Sequence, residues 1–337
     1  MTMSAPPAPD LFKAGSHITP ADVRELLDFT IARNTRYDAM ASTQTEGVAA
    51  LYNILCDNRF AYLADEVGMG KTYQALGLAA IVWSLDPMAR IVFISPRRIL
   101  QDKWCREYNN FFSSNYRRDL GKGCGDGRVT SVLLGEPFHG AAPHGRLKEW
   151  AISLANPKTA AAFLRHTSFT RPVFTNDLNN KNIAVKWAEW RTRLSSWGLH
   201  HTDEAPGRAP LEDASRQFNI AFADAFNKML SDRVGRNPTF DLVIVDEAQC
   251  LRHPDNQTNE VLRTIFRRHV GKWLFMSATP VHGGLGDLQR VLNTYPDPDG
   301  DAFIHERLLA DMEALQARMA PLMVRRQRKY VVDASGT

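Results

Sequence analysis

A chain of 337 residues is long enough to bury one large core or two modest ones, and its 44% hydrophobic and 23% charged residues are those of an ordinary globular protein. That balance excludes a disordered, collagenous or disulfide-rich scaffold. A formal net charge of +4 permits a polyanionic partner without demonstrating one, because charge directs binding only where it clusters.

The first residues, MTMSAPPAPDLFKAG, show no basic segment followed by an apolar run, so no secretory signal is expected. The longest uncharged stretch, Thr72 to Leu85, is about fourteen residues, too short to span a bilayer. Cys56, Cys105, Cys124 and Cys250 lie far apart without CxxC spacing, which argues against a zinc site or a disulfide framework. The histidines are scattered, and the pair His200-His201 has no cysteine or carboxylate cluster at ligand spacing. Reduced thiols, a cytoplasmic, DNA-associated location and no membrane partner are the expectation.

After the Pro-rich start, Thr19-Pro20-Ala21-Asp22 predicts a helix. Thr19 can cap it, Pro20 fits its first turn, and VRELLDFTI carries apolar spacing. A second helix is expected around Thr43 to Leu55. Short apolar runs follow: FAYLAD (60–65), IVFISP (91–96), VTSVLL (129–134), DLVIVDE (241–247) and WLFMSATP (273–280). They do not alternate and are separated by helical stretches, the pattern of parallel strands buried on both faces. The expected fold class is α/β, a central and mainly parallel sheet with helices on both faces. Segments 105–128 and 170–238 are too polar for that alternation and read as insertions or elaborated loops. In the second, Trp187, Trp190, Leu194 and Trp197 recur at the period of a core-facing helix, although a base-stacking platform stays open.

FAYLAD runs directly into EVGMGKT. Gly68 and Gly70 let the backbone curl tightly enough to aim consecutive N–H groups at phosphate oxygens. Lys71 would reach the β- and γ-phosphates of ATP, Thr72 would offer a hydroxyl to Mg2+, and the helix starting near Gly70 would add its positive end. Asp65, Glu66, Val67, Gly68, Met69, Gly70, Lys71 and Thr72 are the candidate nucleotide-binding loop. Asp65 stands where the general G-x-x-x-x-G-K-[ST] pattern has its first glycine. Taken alone, the match is also what a glycine turn before an ordinary helix produces.

The run LVIV ends in Asp246-Glu247-Ala248-Gln249, and the carboxyl end of a buried strand is where an α/β sheet presents ligands. Asp246 would hold the Mg2+ that Thr72 also touches, and Glu247 would orient and deprotonate the attacking water. Glu247, Lys71 and Gln249 form the candidate catalytic set. Phosphoryl transfer needs positioning and charge neutralisation more than covalent help. A plain turn-capping role for the acidic pair is the alternative. The next strand ends in Ser277-Ala278-Thr279, whose hydroxyls can bond to the acidic box and register the γ-phosphate, or simply form a turn.

Order separates these signals from accident: TQTEGV, DEVGMGKT, ISPRRILQDKW, VDEAQCLRHPDNQT and MSATPVHGGLGDL fall in sequence, each at a predicted strand end or loop. The set resembles motifs I, Ia, II and III of the Swi/Snf-type branch of superfamily 2 helicases and DNA translocases, relatives of the DEAD/DEAH-box proteins. LADEVGMGKT is similar to that branch's LADEMGLGKT, Asp65 included, and TQTEGV to its YQ-x-EGV. ISPRRILQDKW looks like its motif Ia, with Trp104 at the matching place. PLMVRRQRKYV (321–331) resembles the segment that closes the first lobe.

The resemblance covers roughly 40 to 331 and implies the first RecA-like lobe of a P-loop NTPase with helical insertions. It implies that Gln44 reads the adenine edge, a task suited to a side-chain amide. It implies DNA, double-stranded in this branch, as partner, with contacts from Arg97, Arg98 and Lys103 in motif Ia and from Thr167-Ser168 as the hydroxyl motif between Ia and II. Arg106, Arg117, Arg118, Lys122 and Arg128 would extend a phosphate-following track if they share a face; a solvated charged surface is the alternative. Residues 1–40 would be an N-terminal helical extension, 41–331 the lobe and 332–337 a tail. The second lobe, in cis or on a separate chain, would supply the cationic finger for hydrolysis, so the isolated chain is expected to be nearly inactive. A non-catalytic binding module that keeps the fold and an unrelated P-loop ATPase are the competing readings.

Overall fold

The computed structural model describes residues 11–30, 35–117, 131–133, 160–166, 223, 227, 238–251, 257–266, 269–278 and 320–326. Strands β1 (Phe60–Leu63), β2 (Ile91–Ser95), β3 (Ser131–Leu133), β4 (Ala161–Arg165), β5 (Phe240–Val245), β6 (Val270–Met276) and β7 (Met323–Val324) form one sheet in the order β3-β4-β2-β5-β6-β1-β7. Every pairing in it is parallel. The described helices are α1 (Pro20–Leu26), α2 (Thr35–Asp57), α3 (Lys71–Leu85), α4 (Arg98–Ser114) and α5 (Gln257–Phe266). None of them is long and apolar enough to cross a membrane.

Parallel strands must be covered on both faces, and here they are. Leu63, Phe93, Phe163, Ile244 and Leu274 share one core with α1 to α4. Tyr62, Trp273 and Phe275 pack together elsewhere, and Phe266 of α5 meets Trp273 edge-on. Helix α3 is buried from Gln74 to Trp83, as expected of a helix apolar all round its circumference. The Trp83 indole still finds a partner, donating to the Ala89 carbonyl at 2.9 Å.

Three details differ from the sequence expectation. Helix α1 has the expected capping box, Thr19 with Asp22, but stops at Leu26 instead of running on through FTI. Leu27 bridges to Tyr116, and Asp28 and Asn115 exchange hydrogen bonds of 2.8 and 2.7 Å, so the chain after α1 is tied to the end of α4. Helix α2 begins at Thr35, so the boundary drawn at residue 40 falls inside it, and Leu11, Phe12 and Val23 join the main core. The segment 105–128 is not all insertion: residues to 114 continue α4, whose Gln101, Trp104, Tyr108 and Phe111 face inward. From 170–238, Asn227 donates to the Thr264 and Ile265 carbonyls near the end of α5 at 2.9 and 3.0 Å. The Trp187–Trp197 repeat, His200, His201 and Cys124 lie outside the described residues.

Phe93 anchors the sheet-to-helix contact. Its ring stacks on Phe163 with centroids 4.9 Å apart and lies 5.3 Å from Trp104. Phe93→Ala is expected to destabilise the fold by about 3–5 kcal/mol; urea unfolding followed by far-UV circular dichroism measures it, and a loss below about 1 kcal/mol would show that this ring trio contributes little.

Candidate nucleotide-binding site

Hydrogen bonds between neighbouring strand ends bring six strands to a common carboxyl rim. Ser277 N–H donates to the Leu63 carbonyl, Ala64 N–H to Val324, Asp246 N–H to Ile94 and His166 N–H to Ser95. Loops that leave this rim therefore converge, which is where a parallel α/β sheet builds its sites.

The loop from Asp65 to Gly70 leaves β1 there and feeds α3. Gly68 and Gly70 adopt φ of 82° and 75°, the left-handed conformation that glycine takes at little cost. Gly70 is also the N-cap of α3 and has no side chain to cap it, so the helix start stays open to an anion. The Lys71 ammonium folds back onto its own loop, donating to the Asp65 carbonyl at 2.6 Å and the Glu66 carbonyl at 3.1 Å. Half-burial lowers the Lys71 pKa, while the carboxylates of Asp65, Glu247 and Asp246 oppose that shift. Those carboxylates are thus the charged neighbours of the lysine. Thr72 follows on the first turn of α3. The Gln44 amide lies against the loop so closely that a Cβ on Gly70 would collide with its Nε2.

Asp246 is gripped from both sides. Its Oδ2 accepts the Trp104 indole N–H of α4 at 2.9 Å, and its Oδ1 accepts the Glu247 backbone N–H at 2.9 Å. Burial raises the Asp246 pKa, and the Trp104 bond, the Glu247 backbone N–H and Lys103 pull it back. Glu247 is the one non-glycine residue with positive φ among the described residues, at 51°, a conformation that costs energy and recurs at functional sites. The Gln249 amide donates to Glu247 Oε2 at 2.5 Å, and its own Oε1 is buried with no partner among the described residues. Ser277, buried, stands beside Tyr62, whose phenol is pushed up by burial and by Glu247.

The donor set suits magnesium. A carboxylate and a hydroxyl are hard oxygen ligands, and two such protein ligands with phosphate and water complete the usual coordination. A divalent cation would also favour the ionised form that burial disfavours at Asp246.

Some groups sequence reasoning did not name. Arg326 crosses beneath the loop to Asp65, which has no exposed surface: its backbone N–H donates to Asp65 Oδ1 at 2.8 Å and its guanidinium pairs with Oδ2. Gln74 Nε2 donates to the same carboxylate at 3.0 Å and to the Met69 carbonyl at 3.2 Å. His166 Nε2 donates to the Asp246 carbonyl at 3.1 Å. Burial holds that histidine neutral by lowering its pKa to about 4. The PLMVRR segment was the available signal for Arg326; nothing in the sequence marked His166.

Among the expected nucleic-acid contacts, Arg97 at the N-cap of α4 and Arg98, Lys103 and Arg106 in its first half are all exposed. Arg98 makes an i,i+4 pair with Asp102 at 3.9 Å, and Arg117 pairs with Asp28 at 3.7 Å. Ala278 is partly buried after β6, whereas Thr279, Thr167, Ser168, Arg118, Lys122 and Arg128 lie outside the described residues.

Fold and rim together define a RecA-like P-loop lobe. Residues 38–282, well over half of the chain, match the family model described as type III restriction enzyme, res subunit. The chain belongs to that family, and the order of its motifs resembles that of superfamily 2, Swi/Snf-type helicases. A 73-residue stretch is 32% identical to the DNA excision repair protein ERCC-6-like of Danio rerio, covering 21% of this chain and 5% of that protein. The Sulfolobus solfataricus SWI2/SNF2 ATPase core in complex with dsDNA is similar at 13% identity and a TM-score of 0.47, over 86% of this chain and 44% of that one. The chain thus spans less than half of either relative.

Because His166 stays neutral in the fold but titrates near 6.5 once unfolded, the unfolded state binds the extra proton as pH falls. Stability contributed by the neutral ring is therefore lost between about pH 6.5 and 4, by up to about 3 kcal/mol. Thermal melts across that window should show a smaller drop for His166→Gln than for wild type; equal slopes would remove His166 as the cause.

Proposed function

We propose that this lobe binds ATP with Mg2+ as the nucleotide-handling half of a DNA-dependent motor, most simply a double-stranded DNA translocase. The observation that carries the reading is Lys71, half-buried at the head of α3, with the carboxylates of Asp246 and Glu247 as charged neighbours.

In this reading Lys71 exchanges its bonds to the Asp65 and Glu66 carbonyls for phosphate oxygens. The backbone N–H groups of 66–70 and the uncapped start of α3 follow the same anion. Gln44 takes the adenine edge. Thr72 and Asp246 hold magnesium, which when bound neutralises charge on the phosphates. Glu247, kept in place by Gln249, orients the attacking water and accepts its proton. Ser277, Ala278 and Thr279 relay the state of the acidic box to the rest of the lobe. The lobe is 41–331, with 1–40 as an N-terminal helical extension, and it acts on DNA in the cytoplasm together with a second RecA-like lobe. That lobe would bring the cationic finger, worth roughly 10³–10⁵ in rate in related NTPases.

Titration of a fluorescent ATP analogue with Mg2+ tests the core of this. Lys71→Ala should lose more than about tenfold in affinity. Equal binding by both proteins would favour a module that keeps the fold without using the nucleotide.

The exposed Lys and Arg at the start of α4 support the DNA reading, since cations close together on a surface attract a phosphate backbone. Replacing Arg97, Arg98 and Lys103 by Ala should flatten the slope of log K against log salt for duplex DNA by about 0.9 per lost phosphate contact. An unchanged slope would place the DNA elsewhere on the molecule.

A further inference from the structure

Gly47 stands inside the 23-residue helix α2, where glycine weakens a helix relative to alanine. None of the roles assigned above uses it. What excludes a side chain is space: a Cβ at this position would collide with Gln74 Oε1 and with Arg326 Nη2. The glycine is a notch in α2, and a guanidinium fills it.

From that notch Arg326 holds several elements at once. Its Nη1 donates to the Thr43 carbonyl, immediately before Gln44. Its Nη2 donates to Gln74 Oε1 on α3 and to Asp65 Oδ2 at the start of the loop, and its carbonyl accepts from Glu66 N–H at 3.2 Å. The guanidinium fork supplies donors in fixed directions, which lysine does not. The same turn of α2 carries Gln44, whose amide already touches the loop at Gly70.

We infer that Arg326, seated against Gly47, is a specificity-determining positioning residue: it fixes the α2 turn bearing Gln44 against the phosphate loop, so that preference for adenine depends on it. The inference rests on the nucleotide-binding reading and goes beyond it. It gives a segment 261 residues distant from Asp65 in sequence a role in choosing the base. A residue that only held the fold together would affect every nucleotide alike; one that aims Gln44 affects adenine selectively.

Fluorescent ATP and GTP analogues, each with Mg2+, are titrated against the 337-residue wild type, Gly47→Ala, Arg326→Lys and Lys71→Ala, with a thermal melt of each. Gly47→Ala is the sharper variant, because it favours the helix and displaces only the tips of two side chains. Both Gly47→Ala and Arg326→Lys should weaken ATP about tenfold and GTP less than about twofold, the discrimination expected of a bidentate amide–adenine contact. Parallel weakening of both nucleotides, an unchanged preference, or a wild type that binds both equally overturns the inference and leaves nucleotide binding standing. Should Arg326→Lys not fold, Gly47→Ala decides, and failure of that variant to fold as well makes the contact architectural and ends the proposal. A wild type that binds neither nucleotide, or binds no better than Lys71→Ala, overturns the parent reading and this one with it.

Discussion

A carboxylate shut away from water is tolerated only where its charge is answered nearby, and Asp65 has no exposed surface. Its oxygens take the Arg326 backbone N–H, the Arg326 guanidinium and the Gln74 amide. Breaking one side of such a buried pair costs about 3–5 kcal/mol, so the partners are bound to stay together. Much of the surrounding structure follows. The strand β7 has to pair with β1 to bring Arg326 under the loop, and α2 has to open at Gly47 to admit it. The residue that replaces the first glycine of the general phosphate-loop pattern is thus the anchor on which that loop is mounted.

The acidic box is held by a different logic. Asp246 receives the indole of Trp104 from α4 and lends its carbonyl to His166 at the end of β4. The residue after β4 and a covering helix therefore hold the backbone and the carboxylate of one aspartate. Glu247 beside it sits in a conformation that only a well-determined surrounding sustains. Helix α4 points the Trp104 indole inward and its cations outward. A single 2.9 Å hydrogen bond from the indole thus ties α4 to Asp246.

The central strands were readable from the sequence because continuous apolar runs of β-branched and aromatic residues mean burial on both faces, and β1, β2, β5 and β6 all carry such runs. The loop and the acidic box stood out through their order along the chain, each at a predicted strand end, because either signal alone also fits a plain turn. Strand β4 was missed, since Ala160, Ala161 and Ala162 favour a helix, and only the flanking strands β2 and β3 make a strand of them. The reach of α4 was missed because its exposed polar residues hid the spacing of Trp104, Tyr108 and Phe111. Arg326 lay within a recognised segment, yet no local pattern says that its partner is 261 positions away. Contacts of that separation belong to the tertiary fold, and sequence periodicity does not encode them.

Electrostatics explains why these pieces need one another. Around Lys71 stand Asp65, Asp246 and Glu247, and of these Asp65 is already answered by Arg326. That leaves one half-buried ammonium facing an acidic pair whose first member burial already disfavours as an anion. A polyanion entering such a site alone would meet two carboxylates and a single cation. In the proposed reading a divalent cation would offset that imbalance, because Asp246 and phosphate would both attract it. Remove Arg326 from the account and Lys71 would have to answer Asp65 as well, leaving less positive charge for a phosphate. The buried ion pair beneath the loop and the carboxylates of Asp246 and Glu247 around Lys71 are therefore two parts of one charge arrangement.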